Sequence, residues 1–357
     1  MNIRKSLFPA ILTFSLLIMS APAYAQSINA EGAAKLKSIF ETMLEQKKKE
    51  IGTADERPQE LKLEGEVVVE ELDTYYAITL PSMSLAYDNG SRTDVGIVAL
   101  NAIPLKEEGQ YKMTFAVPSP IINYGTAGEE RTRFSIGGQN AAGIWNEKIN
   151  GFQKLNVTLN DTLISAATDG SSVVIPDMKV LYDLDADGDR WTGPMRFEAN
   201  NLKVENPKND LVIDLGNILM MMTLDQLTTD GLANLNADNP QAITDMKVAD
   251  GMDMRFLLKN LSGSKNKADG TREEFALGSA SFGIKIDDVL SGSALFGINF
   301  GFDGLSSNMM EGEADALFPK SSSFTITQKN IPVDALTEVI KNTPADNPQK
   351  MALTMML

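Results

Sequence analysis

The side chains of this 357-residue chain that could do chemistry are mostly carboxylates, because it holds no histidine and no cysteine. That removes His-based triads, thiol nucleophiles, disulfides and ordinary zinc or haem ligation. One stretch, Asp183-Leu-Asp185-Ala-Asp187-Gly188, has the spacing of a metal loop. Carboxylates at positions 1, 3 and 5 before a glycine begin a calcium loop, where hard oxygens converge around a sharp turn. The match then fails, since Pro194 stands at position 12, where a bidentate Glu is needed, and Arg190 at position 8. An acidic hairpin turn is the expected reading. A weak Ca²⁺ site at Asp183, Asp185 and Asp187 is the alternative, and no other cofactor is expected.

Other candidates are weighed the same way. Met220-Met221-Met222, Met252-x-Met254 and Met309-Met310 could bind Cu(I) through soft thioethers, but they lie in apolar runs where Met fills a core. Ser262-Gly-Ser-Lys265 has the spacing of a serine nucleophile with a lysine base. It lacks the companion Lys-Thr-Gly and reads as a solvated loop. Trp145 and Trp191 could stack on a sugar, yet each is expected to pack against a sheet. With 48 Asp and Glu, no pair can be singled out as acid and base for glycoside cleavage. The chain has no Gly-x-Ser-x-Gly, phosphate loop or dinucleotide fingerprint.

The elements that must position any site begin with an export signal. Arg4 and Lys5 supply a basic start, Leu7 to Met19 an apolar stretch, and Ala23-Tyr24-Ala25 a cleavage signature before Gln26. The mature protein is therefore expected in the periplasm or outside the cell, with no membrane-spanning segment after signal removal. Net charge is −16, and loss of Arg4 and Lys5 makes it more negative. Such acidity argues against nucleic acid or anionic lipid headgroups as the principal partner. Ser27 to Ile51 reads as an amphipathic helix with Leu36, Phe40, Met43, Leu44 and Ile51 on one face and a cap at Ser27 or Asn29. Thr53 to Glu60 reads as a linker.

From Leu61 the period changes to two. Leu155, Val157 and Leu159 alternate with polar residues, as do Met195, Phe197 and Ala199. Asn-Gly or Asp-Gly pairs at 89, 150, 169, 187, 230, 250, 269 and 303 signal hairpins. A loose repeat sets Leu80-Pro81, Val117-Pro118 and Ile175-Pro176 before alternating residues that end in Tyr87, Tyr124 and Tyr182. Arg92, Arg131 and Arg190 follow, which predicts three hairpins, each opened by a proline at a strand start. In the second half, Leu211 to Met222 is an apolar run, and Leu224, Leu227, Leu232 and Leu235 suggest a helix weakened by Gly231. Phe275–Ile286 and Ala294–Phe302 are strand candidates, and Val333, Leu336, Val339 and Ile340 predict a short helix. The segment after Pro348, with Met351, Leu353 and Met355, either docks on earlier strands or is poorly packed because the chain is a shortened form of a longer one.

The fold class expected is mainly β: large twisted antiparallel sheets built from hairpins, with an N-terminal amphipathic helix and short helices in the second half. The divisions are a signal peptide over 1–25, the helix over 26–52, a hairpin-rich region over 61–210 and a second β-rich region over 211–357. This last region is either continuous with the first or distinct from it. Tyr75-Tyr76-Ala-Ile-Thr-Leu80-Pro81, Gly143-Ile-Trp145 and Trp191-Thr-Gly193-Pro194 resemble segments of uncharacterised β-rich exported proteins of alphaproteobacteria. That resemblance implies a β-rich exported domain of unknown function, and it supplies no catalytic residue. The function expected is a non-enzymatic periplasmic scaffold or binding protein, holding an apolar ligand or an envelope partner protein. The alternative is a carboxylate-dependent hydrolase of envelope glycans. An outer-membrane barrel is a third reading, disfavoured by an aromatic content of 7%.

Overall fold

The computed structural model describes residues 27–51, 58–236, 248–267, 269–308 and 319–342. The expected signal peptide, Met309, Met310 and the terminal segment with Met351, Leu353 and Met355 lie outside the described residues, as does most of the expected linker.

The chain opens with helix α1 (Ala30–Glu50). The N-cap is Asn29, whose side chain accepts from Gly32 N at 2.8 Å, with Glu31 in the first turn and Lys47, Lys48 and Lys49 in the last. The strands that follow are β1 (Glu60–Glu64), β2 (Val68–Glu71), β3 (Tyr76–Thr79), β4 (Ser82–Ala86), β5 (Arg92–Gly96), β6 (Ala99–Pro104), β7 (Gln110–Ala116) and β8 (Ile121–Tyr124). Longer ones come next: β9 (Glu130–Asn146), β10 (Gly151–Ala166), β11 (Ser172–Asp183), the short β12 (Asp185–Asp187), β13 (Arg190–Asn206) and β14 (Leu211–Thr228). Last are β15 (Gly251–Asn266), β16 (Arg272–Asp287), β17 (Ser293–Asp303), the short β18 (Ser306–Ser307) and β19 (Ser321–Pro332). Helices Thr229–Asn236 and Val333–Asn342 follow β14 and β19.

All these strands join one antiparallel sheet. From β9 it runs as a meander through β10, β11, β13, β14, β15, β16, β17 and β19. At β9 it forks. The first part of β9 pairs with β8, leading to β5, β4 and β1, and the last part pairs with β7, leading to β6, β3 and β2. The β13–β14 ladder crosses residue 210, so one sheet spans both expected β regions. Among the described residues β19 pairs with β17 alone, so the sheet does not close on itself.

The turn signals work because small polar residues and glycine accept positive φ. Gly90, Gly170, Gly188, Gly270 and Gly304 take φ values of +78°, +72°, +65°, +83° and +70°. Asp230-Gly231 departs from this and sits in the helix Thr229–Asn236. Two further expectations are corrected. Leu224 and Leu227 belong to β14, and the helix starts only at Thr229, because pairing with β13 and β15 overrides the helical spacing of the leucines. Pro176 is internal to β11 and does not start it.

The reason Pro176 is tolerated there is a crease across the long strands. The ladders skip one position in each of several adjacent pairs, between Gly138 and Ile136 on β9, Asn160 and Thr162 on β10, and Asp177 and Ile175 on β11. The skip continues between Asn200 and Leu202, Asn217 and Leu215, Lys259 and Leu261, and Ser279 and Leu277. The residues in the gaps are Gly137, Asp161, Pro176, Asn201, Gly216, Asn260 and Gly278. Asp161, Asn201 and Asn260 have φ of +51°, +55° and +55°, the left-handed region that Asp and Asn enter most readily after glycine. Their neighbours are residues with no side chain in the way or no N–H to lose. A Cβ on Gly137 would stand 2.8 Å from Asp161 Cβ, and one on Gly216 3.0 Å from Asn260 Cβ.

The largest core lies where α1 covers the forked end. Leu36 and Phe40 pack with Tyr76, Ile78, Ala102, Tyr111, Met113 and Trp145, as the helical spacing predicts. Tyr76 anchors the helix start: its hydroxyl receives Asn29 N at 3.1 Å and lies so close to Gly32 that any side chain there would overlap it. Lys35 meets Glu147 at 2.8 Å. Burial, and then the Glu147 carboxylate, push the Tyr111 hydroxyl above its usual range.

Candidate functional site

Alternate residues of a strand point to opposite faces, so the register of a long meander sorts its side chains into rows. On one face, Phe115 on β7 stands beside Ala141, Val157, Val180 and Phe197 on successive strands. The same row continues through Met220, Phe256, Phe282, Phe300 and Phe324 on β19. The row above it runs from Tyr182 and Met195 through Met222, Met254, Ile284 and Ile298 to Ile326. The row below carries Met178, Ala199, Ile218, Leu258, Ala280 and Phe302, ending in Ser322. None of these positions bears a charge. At about 4.8 Å per strand the central row is roughly 40 Å long, and the three rows together are about 14 Å wide.

This apolar face is not uniformly covered. At the α1 end Ala141, Val157 and Leu159 are buried, and Ile136, from beyond the crease, packs against them. Towards β19 the side chains open to solvent: Met220 is 44% exposed, Phe256 37%, Phe300 36%, Phe324 50% and Ile326 57%. Phe300 stacks between Phe302 and Phe324, with ring centroids 6.1 and 5.7 Å away. Where the face passes under α1, a cavity of about 220 Å³ is lined by Phe40, Met43, Leu44, Phe115, Trp145 and Phe152. Trp145 meets Phe152 edge-on at 5.4 Å, and its indole N–H has no partner.

The reverse face is polar and laced with ion pairs between residues two apart on one strand. Examples are Arg196–Glu198 and Arg255–Asp253, each 2.7 Å, and Lys285–Asp287, 2.7 Å. A hydrogen-bonded ladder runs from Asp177 through Asn200 to Asn217 at 2.9 and 2.8 Å, and the Asn200 bond holds the Asp177 carboxyl below its usual range. A depression of about 750 Å³ over β9 to β14 mixes Leu181 and Met221 with Lys112 and Arg196. The two faces thus differ in polarity, one laced with charge pairs and the other apolar.

The candidates read from the sequence distribute as follows. Asp183 and Asp185 share Lys154, whose Nζ lies 2.6 and 3.4 Å from them, while Asp187 pairs in register with Arg190 across the turn. Hydrogen bonding to Asp183 raises the Lys154 ammonium above its usual range. Among the described residues no group of three or more carboxylates is arranged to hold a metal ion. Ser262 and Lys265 are three apart on β15 and so point to opposite faces, which separates nucleophile from base and corrects the loop expectation to a strand. Met220 and Met222 join the apolar face and Met221 the reverse. Trp191 is 1% exposed and donates to Thr229 Oγ1 at 3.0 Å.

Among the described residues no helix is long and apolar enough to cross a membrane. Comparison of the chain with family models, with curated proteins and with solved structures finds no match in any of the three.

Proposed function

We propose that this chain is an exported, non-enzymatic binding protein that holds the acyl chains of a lipid along its apolar sheet face. The observation that carries the reading is the set of three uncharged rows, in which Met220, Phe256, Phe300 and Phe324 stay one-third to one-half exposed. Large flexible or planar apolar side chains conform to a linear hydrocarbon without demanding polar contacts. The length and narrowness of the strip suit a chain and not a compact ligand. Covering each half-exposed Phe or Met contributes roughly 1 kcal/mol, so about eight such contacts are needed for micromolar binding before ordering costs. Export to the periplasm is the destination implied by the signal peptide read at 1–25.

The test is lipid extraction and mass spectrometry of protein purified from its own envelope, with titration of a fluorescent fatty acid. F256D and F300D should abolish the signal, with circular dichroism showing that the sheet is retained. Ligand-free protein that also fails to bind the probe sinks the reading. The second reading, cleavage of envelope glycans, is placed at a cavity of about 570 Å³ lined by Glu107, Glu108, Glu147 and Trp191. Glycan release that survives in the wild type and is lost in E147Q would replace the first reading by the second.

A further inference from the structure

We infer that the outer edge of β19 is a self-association surface, on which a second copy of this chain adds its own β19 in antiparallel register. The sheet ends there among the described residues: β19 pairs with β17 on one side, and Ser321 to Asn330 are all exposed. Unpaired strand edges template further pairing unless charge, proline or a bulge blunts them. The short edge strands at the other end are blunted in that way, β1 by Glu60, Lys62 and Glu64 and β2 by Glu70 and Glu71. β19 is not. From Ser321 to Gln328 it carries no charge and no proline, and its one bulge lies near Lys329, at the far end.

The sequence of this edge is complementary to itself. Pairing two copies about Thr325 sets Phe324 opposite the partner's Ile326 and Ile326 opposite the partner's Phe324, large apolar groups on the same face. Ser323 then meets the partner's Thr327, and Ser322 the partner's Gln328, so polar groups oppose polar groups. Such an isologous contact closes with two copies. Electrostatics select the same place, because a chain of net charge −16 repels its copy wherever acidic surfaces approach, and this edge bears none. The pairing also continues the apolar rows of one copy into those of the other. It stands whether or not the face holds lipid.

The experiment measures the mass of the mature chain by light scattering and sedimentation across the micromolar range. Thr325 lies on the polar face opposite Asn299, so a charge there leaves the core of the monomer alone. The wild type should be a dimer. T325K and T325E should each be monomeric, because like charges then face each other across the new ladder, and an equimolar mixture should recover the dimer. A monomeric wild type overturns the proposal, and so does a dimer that T325K leaves intact. Deleting residues 343–357 separates the remaining occupant: an unchanged dimer supports the free edge, and a dimer that appears only after deletion overturns it.

Discussion

The two ends of the apolar face differ in what lies over them. At the forked end α1 brings Leu36 and Phe40 onto the sheet, and the side chains beneath are buried: Tyr76 2%, Met113 1%, Trp145 5% exposed. At the β19 end the same register rows carry Phe300 and Phe324 with nothing above them among the described residues. The residue types hardly change from one end to the other, so composition does not tell a covered core from an open surface. What separates them is whether the chain supplies its own second layer. Side chains at the covered end hold the fold together, and those at the open end stay in part against solvent.

That contrast can be broken first by truncation. L36A should lower unfolding stability by about 2–5 kcal/mol, since a side chain with no exposure leaves a cavity. F324A should change it by about 0.5 kcal/mol, since half of that ring already meets water. Urea titrations followed by circular dichroism measure both, and equal losses would erase the distinction between the ends. The crease supplies the next effect. G216A should cost about 1–3 kcal/mol because its Cβ meets Asn260, whereas N260G should stay within about 1 kcal/mol. A third change has the opposite sign. Thr162 is fully buried with no partner for its hydroxyl, so T162V should gain roughly 1 kcal/mol in the same titration.

The smallest effect is with pH. Hydrogen bonds hold Asp177, Glu129, Glu130, Asp169 and Asp269 below the usual carboxylate range. A lowered carboxyl stabilises the fold above its unfolded pKa, and that contribution is lost as pH falls through the lower folded value. With no histidine present, melting temperature should be flat from about pH 5 to 9 and decline below about pH 4. A step near pH 6.5 would contradict this.

Much of the fold was legible. Asn89-Gly90 and Asp187-Gly188 marked turns because the φ they need is local chemistry, and α1 was marked by the spacing of Leu36, Phe40, Met43 and Leu44. Leu224 and Leu227 misled because their spacing also fits a helix, and only the neighbouring strands decide. The apolar face was harder to see, since a row across strands is not a run along the chain. A signal was there: Phe256 and Phe282 stand at equal distances from Asp269, and Phe282 and Phe300 at equal distances from Ser291. Symmetry of aromatics about turns would have aligned them. The crease had no such mark, because a lone Gly216 or Asn260 looks like any other until the neighbouring strands are aligned beside it.

The crease also answers a question of alignment that alternation leaves open. Sliding one long strand by two residues keeps every apolar side chain on its proper face, so hydrophobic pattern alone tolerates the error. It does not keep Gly216 beside Asn201 and Asn260, or Pro176 beside Asp161. A slipped strand would force a side chain into the space that Gly216 leaves for Asn260, and would ask residues such as Leu159, Lys203 or Leu258 to adopt a left-handed backbone. The line of seven glycine, proline or left-handed residues is thus a vernier, fixing each strand against the next to the single residue.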